Sequence, residues 1–211
     1  NRNGSTVIAD TEFTAPLKIA APFYRSGHTE VMMMAASAGI LEGDIYDIEI
    51  TVRENASLKF TAQSYSKIFR AENRGASQRV KITVESGGSL VYMPCPVIPF
   101  GGSIFDTRTE VRLKAGSSFV MTDILSCGRA AMKERFRFTS YRSRTAVYSD
   151  DRLCFLDNQR LVPGETELSG TGFFENRSHI GMMYVYGKEV SIPPCDRIEA
   201  ASSKASEGIC I

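Results

Sequence analysis

One pattern occurs three times in this sequence, and it limits the possible folds more than any other feature. The segments are IEITVRENASLKF from Ile48, VKITVESGGSLVY from Val80 and TEVRLKAGSSFVM from Thr109. When the segments are aligned on their turns, an apolar residue, an Asn or Gly, a serine and a second apolar residue recur. These equivalent positions are Val52, Val84 and Leu113; Asn55, Gly87 and Gly116; Ser57, Ser89 and Ser118; and Leu58, Leu90 and Phe119.

Each segment is predicted to be a strand, a tight turn and a return strand. Apolar and polar residues alternate on both sides of the turn, and Asn and Gly tolerate the positive φ that a turn requires. Val84 follows Val52 by 32 positions and Leu113 follows Val84 by 29. This spacing favours stacked units sharing one core, as in a β-solenoid, with an antiparallel sandwich of similar hairpins as the alternative. We therefore expect a mainly β protein of stacked β-hairpin or β-solenoid-like sheets with few short helices.

The rest of the chain fits a single domain over residues 1–211. Proline cannot donate to a strand ladder, so the segments MPCPVIPF and IPPC are expected at an edge or in a loop. Only two short helices are considered, SKIFRAEN from Ser66 and DRIEAASSKAS from Asp196. Further strands are predicted at EVMMMAAS from Glu30, TAVYSD from Thr145 and HIGMMYVYG from His179.

The composition excludes several classes of function. With 25 basic and 24 acidic residues, the chain has no overall field that would attract nucleic acid or an acidic membrane. No apolar run approaches the roughly 20 residues that a membrane helix needs. The 5 cysteines are widely spaced and form no CxxC pair, which indicates reduced thiols in a cytoplasmic protein. The 2 histidines lie far apart, so a structural zinc site is not expected, and hydrolase and nucleotide-binding motifs are missing.

One basic segment, MKERFRFTSYRSR from Met132, permits two interpretations. Arginines interleaved with aromatic residues are typical of a surface that binds phosphate or RNA. However, the alternation of Phe136 and Phe138 with Arg135 and Arg137 is also what a half-exposed strand produces.

Five carboxylates stand beside or within apolar segments. Glu42 and Asp44 end the Gly-containing loop SAGILEGD, and Asp123 interrupts the apolar run FVMTDILSC. Glu134 follows CGRAAMK, and Asp157 follows the apolar run in LCFLDN. A buried acid is costly unless it is paired or hydrated. The acids are therefore either surface or hydrogen-bonded structural groups, or they line a polar channel between buried strands.

Short motifs along nearly the whole chain resemble one family. They are APFY from Ala21, SAGILEGD from Ser37, TAQSYSKIFR from Thr61, MPCPVIPFGGSIF from Met93, DILSCGR from Asp123 with Glu134, DDRLCFLDN from Asp150 and SGTGFF from Ser169. In this order and spacing they resemble the urease accessory protein D family, whose members are called H in some bacteria.

The resemblance implies a non-enzymatic assembly factor for a nickel enzyme. Family members act in the cytoplasm with urease accessory protein F and, through it, with the GTPase accessory protein G, and they dock on apo-urease. The resemblance also implies a dimer of such heterocomplexes, with neither nucleic acid nor membrane as a partner. The implied architecture is a strand-rich body with an internal passage for nickel. The resemblance implies no tightly bound cofactor, and nickel(II) is bound only transiently.

The resemblance also indicates which residues would meet the ion. By position, Asp44, Asp123 and Asp157 match acidic residues of the nickel route, and Glu134 is a looser match. Carboxylates and water hold a divalent cation weakly, which suits a conduit better than one tight cage does.

Three departures from the family pattern qualify this hypothesis. Glu42-Gly43 stands where many members have two glycines, and Lys133 stands where glycine is common. We also expect the chain to lack the family's extreme C-terminal part, which contacts accessory protein F.

Two other hypotheses stay open. One is a structural adaptor whose acids serve only the fold, and the other is a phosphate- or nucleic-acid-binding β-domain that uses the strip from Arg135 to Arg144.

Overall fold

The structure is a computed structural model that describes residues 5–187. The helix considered from Asp196, the IPPC segment, Cys195 and Cys210 lie outside the described residues. The described chain contains no helix long and apolar enough to cross a membrane, and its one helical element is the 3₁₀ turn Ala130–Met132. The strands are β1 Leu17–Ile19, β2 Phe23–Arg25, β3 His28–Ala35, β4 Ile45–Val52, β5 Ser57–Ala62, β6 Ser66–Ile68, β7 Ala76–Val84, β8 Ser89–Met93, β9 Val97–Pro99, β10 Ile104–Leu113, β11 Ser118–Ser126, β12 Gly128–Arg129, β13 Glu134–Arg135, β14 Ser140–Ser149, β15 Arg152–Leu161 and β16 His179–Tyr186.

Two large sheets contain most of these strands. In sheet I, β4, β7, β10 and β14 are parallel neighbours, and β15 pairs antiparallel with β14. In sheet II, β3, β5, β8 and β11 are parallel neighbours, with β1 and β2 antiparallel to β3 and β16 antiparallel to β11. The short strands β6 and β9 extend sheet II, since β9 pairs with both β11 and β6. Strands β12 and β13 form a separate two-stranded ladder.

The three sequence repeats stack in register, which confirms the β-solenoid interpretation. The two strands of each repeat lie in different sheets, so each pairs with its equivalents in neighbouring repeats and not with its own return strand. The repeats are therefore arches between the sheets rather than paired hairpins. The equivalent residues face one another across the ladders as the sequence alignment predicts: Val52, Val84 and Leu113 in sheet I, and Leu58, Leu90 and Phe119 in sheet II.

The shared turn position has the backbone conformation that its residues predict. Asn55, Gly87 and Gly116 have φ angles of 54°, 65° and 70°. Because this left-handed region is costly for most side chains, the occurrence of Asn or Gly there reflects the arch geometry. The serines after the turn also stack, and Ser118 Oγ donates to Ser89 Oγ at 2.9 Å.

The hydrophobic core lies between the two sheets. In β4, exposed and buried residues alternate along the whole strand, so one face of the sheet is turned inward. Ile82 and Val111 of sheet I and Leu90 of sheet II are 0% exposed and belong to one cluster. Burying each such side chain stabilises the fold by about 1.5–3 kcal/mol.

The predictions of local structure had mixed outcomes. The strands expected from Glu30, Thr145 and His179 are confirmed as parts of β3, β14 and β16. The short helix considered from Ser66 is wrong, because Ile68 is buried and β6 pairs with β9. For MPCPVIPF the sequence predicts an edge or a loop; the loop is confirmed at residues 94–96, whereas the edge is wrong for residues 97–99. Strand β9 lies between β6 and β11, and Pro94 and Pro96 fall in the break before it, where no ladder donor is needed.

Candidate functional site: a polar cavity between the sheets

A polar cavity lies between the sheets where sheet II is interrupted. Residues 63–65 separate β5 from β6, and residues 94–96 separate β8 from β9. Both breaks contribute to the wall of a cavity of about 250 Å³. On the opposite wall, inward-facing positions of sheet I carry polar side chains, namely Gln78, Thr107, Thr109, Tyr141 and Ser143.

Asp123 lines this cavity from β11. Ser143 Oγ, across from it on β14, donates a hydrogen bond to Asp123 Oδ2 at 3.2 Å. Desolvation raises the pKa of Asp123 above its ordinary value; the Ser143 bond lowers it, and the nearby charge of Asp157 raises it again. One hydroxyl is little compensation for a carboxylate removed from bulk solvent, so this side chain gains from water or a cation in the cavity.

Tyr141 contributes a second buried polar group to the cavity. Its side chain is 1% exposed, and its hydroxyl makes no hydrogen bond of good geometry within residues 5–187. Burial, and then the charge of Asp123, raises the pKa of Tyr141 well above its ordinary value, whereas the nearby Ser143 hydroxyl lowers it. A buried hydroxyl without a partner is costly, whereas a polar cavity of this size has room for several water molecules.

Asp157 approaches Asp123 from the neighbouring edges of the sheets. It lies on β15, and its Oδ2 accepts hydrogen bonds from Gln159 Nε2 at 2.9 Å and from Tyr184 Oη at 3.1 Å. Tyr184 belongs to β16, whose ladder places Met182 opposite Asp123. The structure therefore places Asp157 near enough for its charge to raise the pKa of Asp123, although Asp157 is not part of the cavity lining.

Asp44 caps the turn that ends the SAGILEGD loop. Leu41 N donates to Asp44 Oδ2 at 2.8 Å, Asp44 N donates to Leu41 O at 3.1 Å, and Gly43 has a φ of 82°. Tyr46 lines the cavity, and its hydroxyl is 3.4 Å from the same carboxylate oxygen. Asp44 thus has a turn-forming role and is separated from the cavity by one tyrosine.

Glu42 binds the backbone of a neighbouring loop and does not take part in the turn of Asp44. Its carboxylate accepts backbone hydrogen bonds from Glu72 at 3.0 Å, Asn73 at 2.7 Å and Arg74 at 2.6 Å. These three bonds lower the pKa of Glu42, with desolvation acting in the opposite direction. The carboxylate of Glu42 therefore fastens the 72–74 loop.

Glu134 lies in an ion pair and not in the cavity wall. Arg129 donates to its two carboxylate oxygens at 2.7 and 2.6 Å, and this pairing lowers the pKa of Glu134. The Arg129 guanidinium also lies 4.2 Å from the centre of the Phe100 ring. The structure does not bring Glu134 into the contacts that Asp123 and Asp157 share.

The basic strip from Arg135 to Arg144 is divided between two surroundings. Arg135 donates to the backbone carbonyls of Asn176 and Arg177 at 3.1 and 2.9 Å, so its charge secures a loop. Arg142 and Arg144 lie on β14 with their side chains exposed. The arginines at the two ends of this segment therefore have different surroundings.

Metal-binding side chains are sparse in the part of the chain that the structure describes. Residues 5–187 contain no group of three His, Cys, Asp or Glu side chains placed to hold one ion. Cys95, Cys127 and Cys154 carry free thiols, and burial raises the pKa of Cys95, which lines the cavity.

The neutral polar groups of the cavity were missed by sequence reasoning. Thr107 and Thr109 occupy β10 positions in phase with the buried residues Phe105, Val111 and Leu113. Hydroxyl-bearing residues in the core phase of a strand are a detectable signal of a polar interior. The segment DTRTEVRL carries that signal.

Comparison with known proteins assigns the chain to a family. The family described as UreD urease accessory protein matches residues 1–210. The chain belongs to this family. The urease accessory protein UreD of Acetivibrio thermocellus is 42% identical over 198 residues, which cover 93% of this chain and 76% of that protein. The urease accessory protein UreH of Helicobacter hepaticus is 31% identical over 190 residues, covering 90% of this chain and 75% of that protein.

Proposed function

We propose that this UreD family member is a cytoplasmic scaffold of urease maturation that passes nickel(II) through the cavity between its sheets. Asp123 is the central contact of the ion in this proposal, with Asp157 beside it and Asp44 behind Tyr46. The observation that carries the proposal is a polar cavity whose wall includes a desolvated carboxylate and an unpartnered tyrosine hydroxyl.

The donor set suits passage better than storage. Carboxylate, hydroxyl and water oxygens bind a divalent ion such as nickel more weakly than histidine and thiolate ligands do. An ion leaves a site readily only if no single position holds it tightly. Within residues 5–187 Asp123 has one hydroxyl as its hydrogen-bond partner, which fits that requirement.

The remaining predicted acids have different places in the proposal. Asp157 holds two hydrogen-bond donors, Gln159 and Tyr184, on its Oδ2, which leaves its other carboxylate oxygen for an approaching cation. Asp44 keeps its turn contact through Oδ2, which accepts from Leu41 N, so the ion meets its other carboxylate oxygen. Glu134 serves the fold, since Arg129 neutralises it.

The proposed partners follow from family membership. They are urease accessory protein F, the GTPase accessory protein G bound through F, and apo-urease, in a dimer of heterocomplexes. The name of the family, urease accessory protein, supports a role in urease maturation and a scaffold without an enzymatic step of its own.

Replacing Asp123 by Asn tests the passage directly, because the substitution removes charge and keeps shape. Urease activation by the co-expressed accessory proteins is measured at limiting nickel, together with co-purification of the complex. We expect activation to fall at least about tenfold, the loss of roughly 1.4 kcal/mol of ion stabilisation, with unchanged co-purification. Asp151→Asn is the matched control, since Asp151 is an exposed acid paired with Arg112 and Lys114.

A second candidate function is an adaptor that bridges its partners without carrying the ion. The turn-capping contact of Asp44 and the ion pair of Glu134 favour it, because both acids have structural duties. Full activation by Asp123→Asn, with nickel content of urease equal to that of the Asp151→Asn control, would establish the adaptor and refute the passage.

A further inference from the structure

The outer face of sheet I carries a row of arginines that the cavity does not use. The ladders place Asp47 opposite Arg79, Arg79 opposite Arg108, and Arg108 opposite Arg144. Each strand of the solenoid therefore adds one charged residue to the same row. We call Arg79, Arg108 and Arg144 the arginine row.

Three adjacent arginines are unfavourable for the isolated sheet. Neighbouring strands are about 4.8 Å apart, and like charges placed directly opposite one another destabilise a sheet. Replacing the three arginines would therefore relieve this repulsion. A contact outside this chain would explain why the row is present. The row is not needed for core packing, since its members point away from the buried face.

Acidic neighbours compensate the row unevenly. Arg79 Nε lies 2.9 Å from Asp47 Oδ1, and Arg108 Nε lies 3.0 Å from Asp106 Oδ1. Arg144 has no ion pair within residues 5–187, and Arg142 reaches Asp106 only at 3.9 Å. Positive charge is therefore left over at the β14 end of the row.

The surface beside the row is shaped to receive side chains. A shallow depression of about 570 Å³ lies on this face, and the three arginines and Lys81 form part of its border. Ala146, two positions after Arg144 on β14, also borders the depression and is covered by its neighbours, at 3% exposure. Arg79 and Arg108 side chains are 66% and 58% exposed, so they can reorient toward a ligand.

Carboxylates on the same face limit the kind of ligand. Glu49 and Glu110 flank Lys81 in the adjacent row and also line the depression. A nucleic-acid backbone, which repeats its phosphates at regular spacing, would meet these two carboxylates. A protein segment can place its acids over the arginine row and neutral or basic groups over Glu49 and Glu110.

We propose that the arginine row is a docking surface for an acidic segment of a partner protein. Arg144 and Arg108 make the main contacts with its carboxylates, because bidentate guanidinium–carboxylate pairs are strong and directional. Asp47 holds Arg79, and Asp106 holds Arg108, in place until the partner arrives. The surface is on the outer face and does not depend on nickel passage or on the proposed function.

Two labelled probes of matched charge test this surface, a poly-glutamate peptide and an oligothymidylate. Fluorescence anisotropy at low salt measures their binding to the nickel-free protein. We expect the peptide to bind more tightly than the oligothymidylate. The double variant Arg108→Glu and Arg144→Glu should weaken peptide binding at least about tenfold.

A matched control carries the same change in net charge on another surface. Lys18→Glu with Arg25→Glu alters exposed strands at the far edge of sheet II and should change peptide affinity less than about twofold. If charge reversal disturbs folding, as judged by circular dichroism, the Arg108→Gln and Arg144→Gln variant replaces it. Tighter binding of the oligothymidylate, no binding of the peptide, or an equal loss in the control would each overturn the proposal.

Discussion

Replacing Tyr141 by Phe determines whether the cavity contains water, on which the nickel proposal depends. The substitution removes one hydroxyl from a residue that is 1% exposed and leaves its ring in place. If water satisfies the hydroxyl, removing it costs about 0.5–1.5 kcal/mol, the usual net value of a hydrogen bond. If the hydroxyl is buried dry, its removal relieves a desolvation penalty and stabilises the protein by about 1–3 kcal/mol.

We expect destabilisation, because Asp123 and Ser143 make the surroundings of Tyr141 polar enough for water. For a chain of this size, the expected loss lowers the midpoint of thermal unfolding by about 1–6 °C. Urea unfolding followed by circular dichroism gives the free energy itself, and an unchanged m value confirms that only stability was altered.

Ser103→Ala is the matched control for this experiment. Ser103 Oγ is also buried without a hydrogen-bond partner within residues 5–187, but Ser103 does not line the cavity. Its hydroxyl does not face the cavity, where water could bind it. We therefore expect the alanine variant to be as stable as the wild type or up to about 1–3 kcal/mol more stable. If Tyr141→Phe stabilises the protein as Ser103→Ala does, the cavity is dry and the reasoning fails.

Three further predictions concern the pH dependence of stability, the packing of the core and the role of Glu134. Because the folded-state pKa of Asp123 is raised, stability should fall as pH rises from about 3.9 through that folded value, and Asp123→Asn should remove this part of a urea-derived stability profile. Leu90→Ala should cost about 2–5 kcal/mol in the same assay because Leu90 is 0% exposed, whereas Leu156→Ala, at 47% exposure, should cost under about 1 kcal/mol. Glu134→Gln should leave urease activation within about twofold of wild type, since its partner is Arg129; a loss as large as that of Asp123→Asn would return Glu134 to the ion's route.

The solenoid could be predicted from the sequence because each repeat contains its own signals. Val52, Val84 and Leu113 mark the strand phase, and an Asn or Gly marks each turn. In-register parallel stacking needs no further information, since equivalent residues simply face each other. Strand β9, which follows the break after β8, could not be predicted. Its place between β6 and β11 depends on partners far along the chain.

The site was predictable only in part, for the same physical reason. Asp123 stands out because an acid interrupts an apolar strand, and the structure places it in the wall of the cavity. Its proximity to Asp157 requires two sheet edges to meet, which no local pattern encodes. The ion pair of Glu134 with Arg129 and the backbone contacts of Glu42 likewise arise from loop geometry, so their sequence contexts did not separate them from Asp123.

The two interruptions of sheet II have a consequence for how such a protein can change over evolutionary time. Residues 63–65 and 94–96 lie side by side in neighbouring coils, outside the ladders that hold the coils together. Insertions or substitutions there can widen, narrow or re-line the chamber while Leu90 and its apolar neighbours stay packed. Selection can therefore adjust which small species enter the interior without redesigning the scaffold that surrounds it.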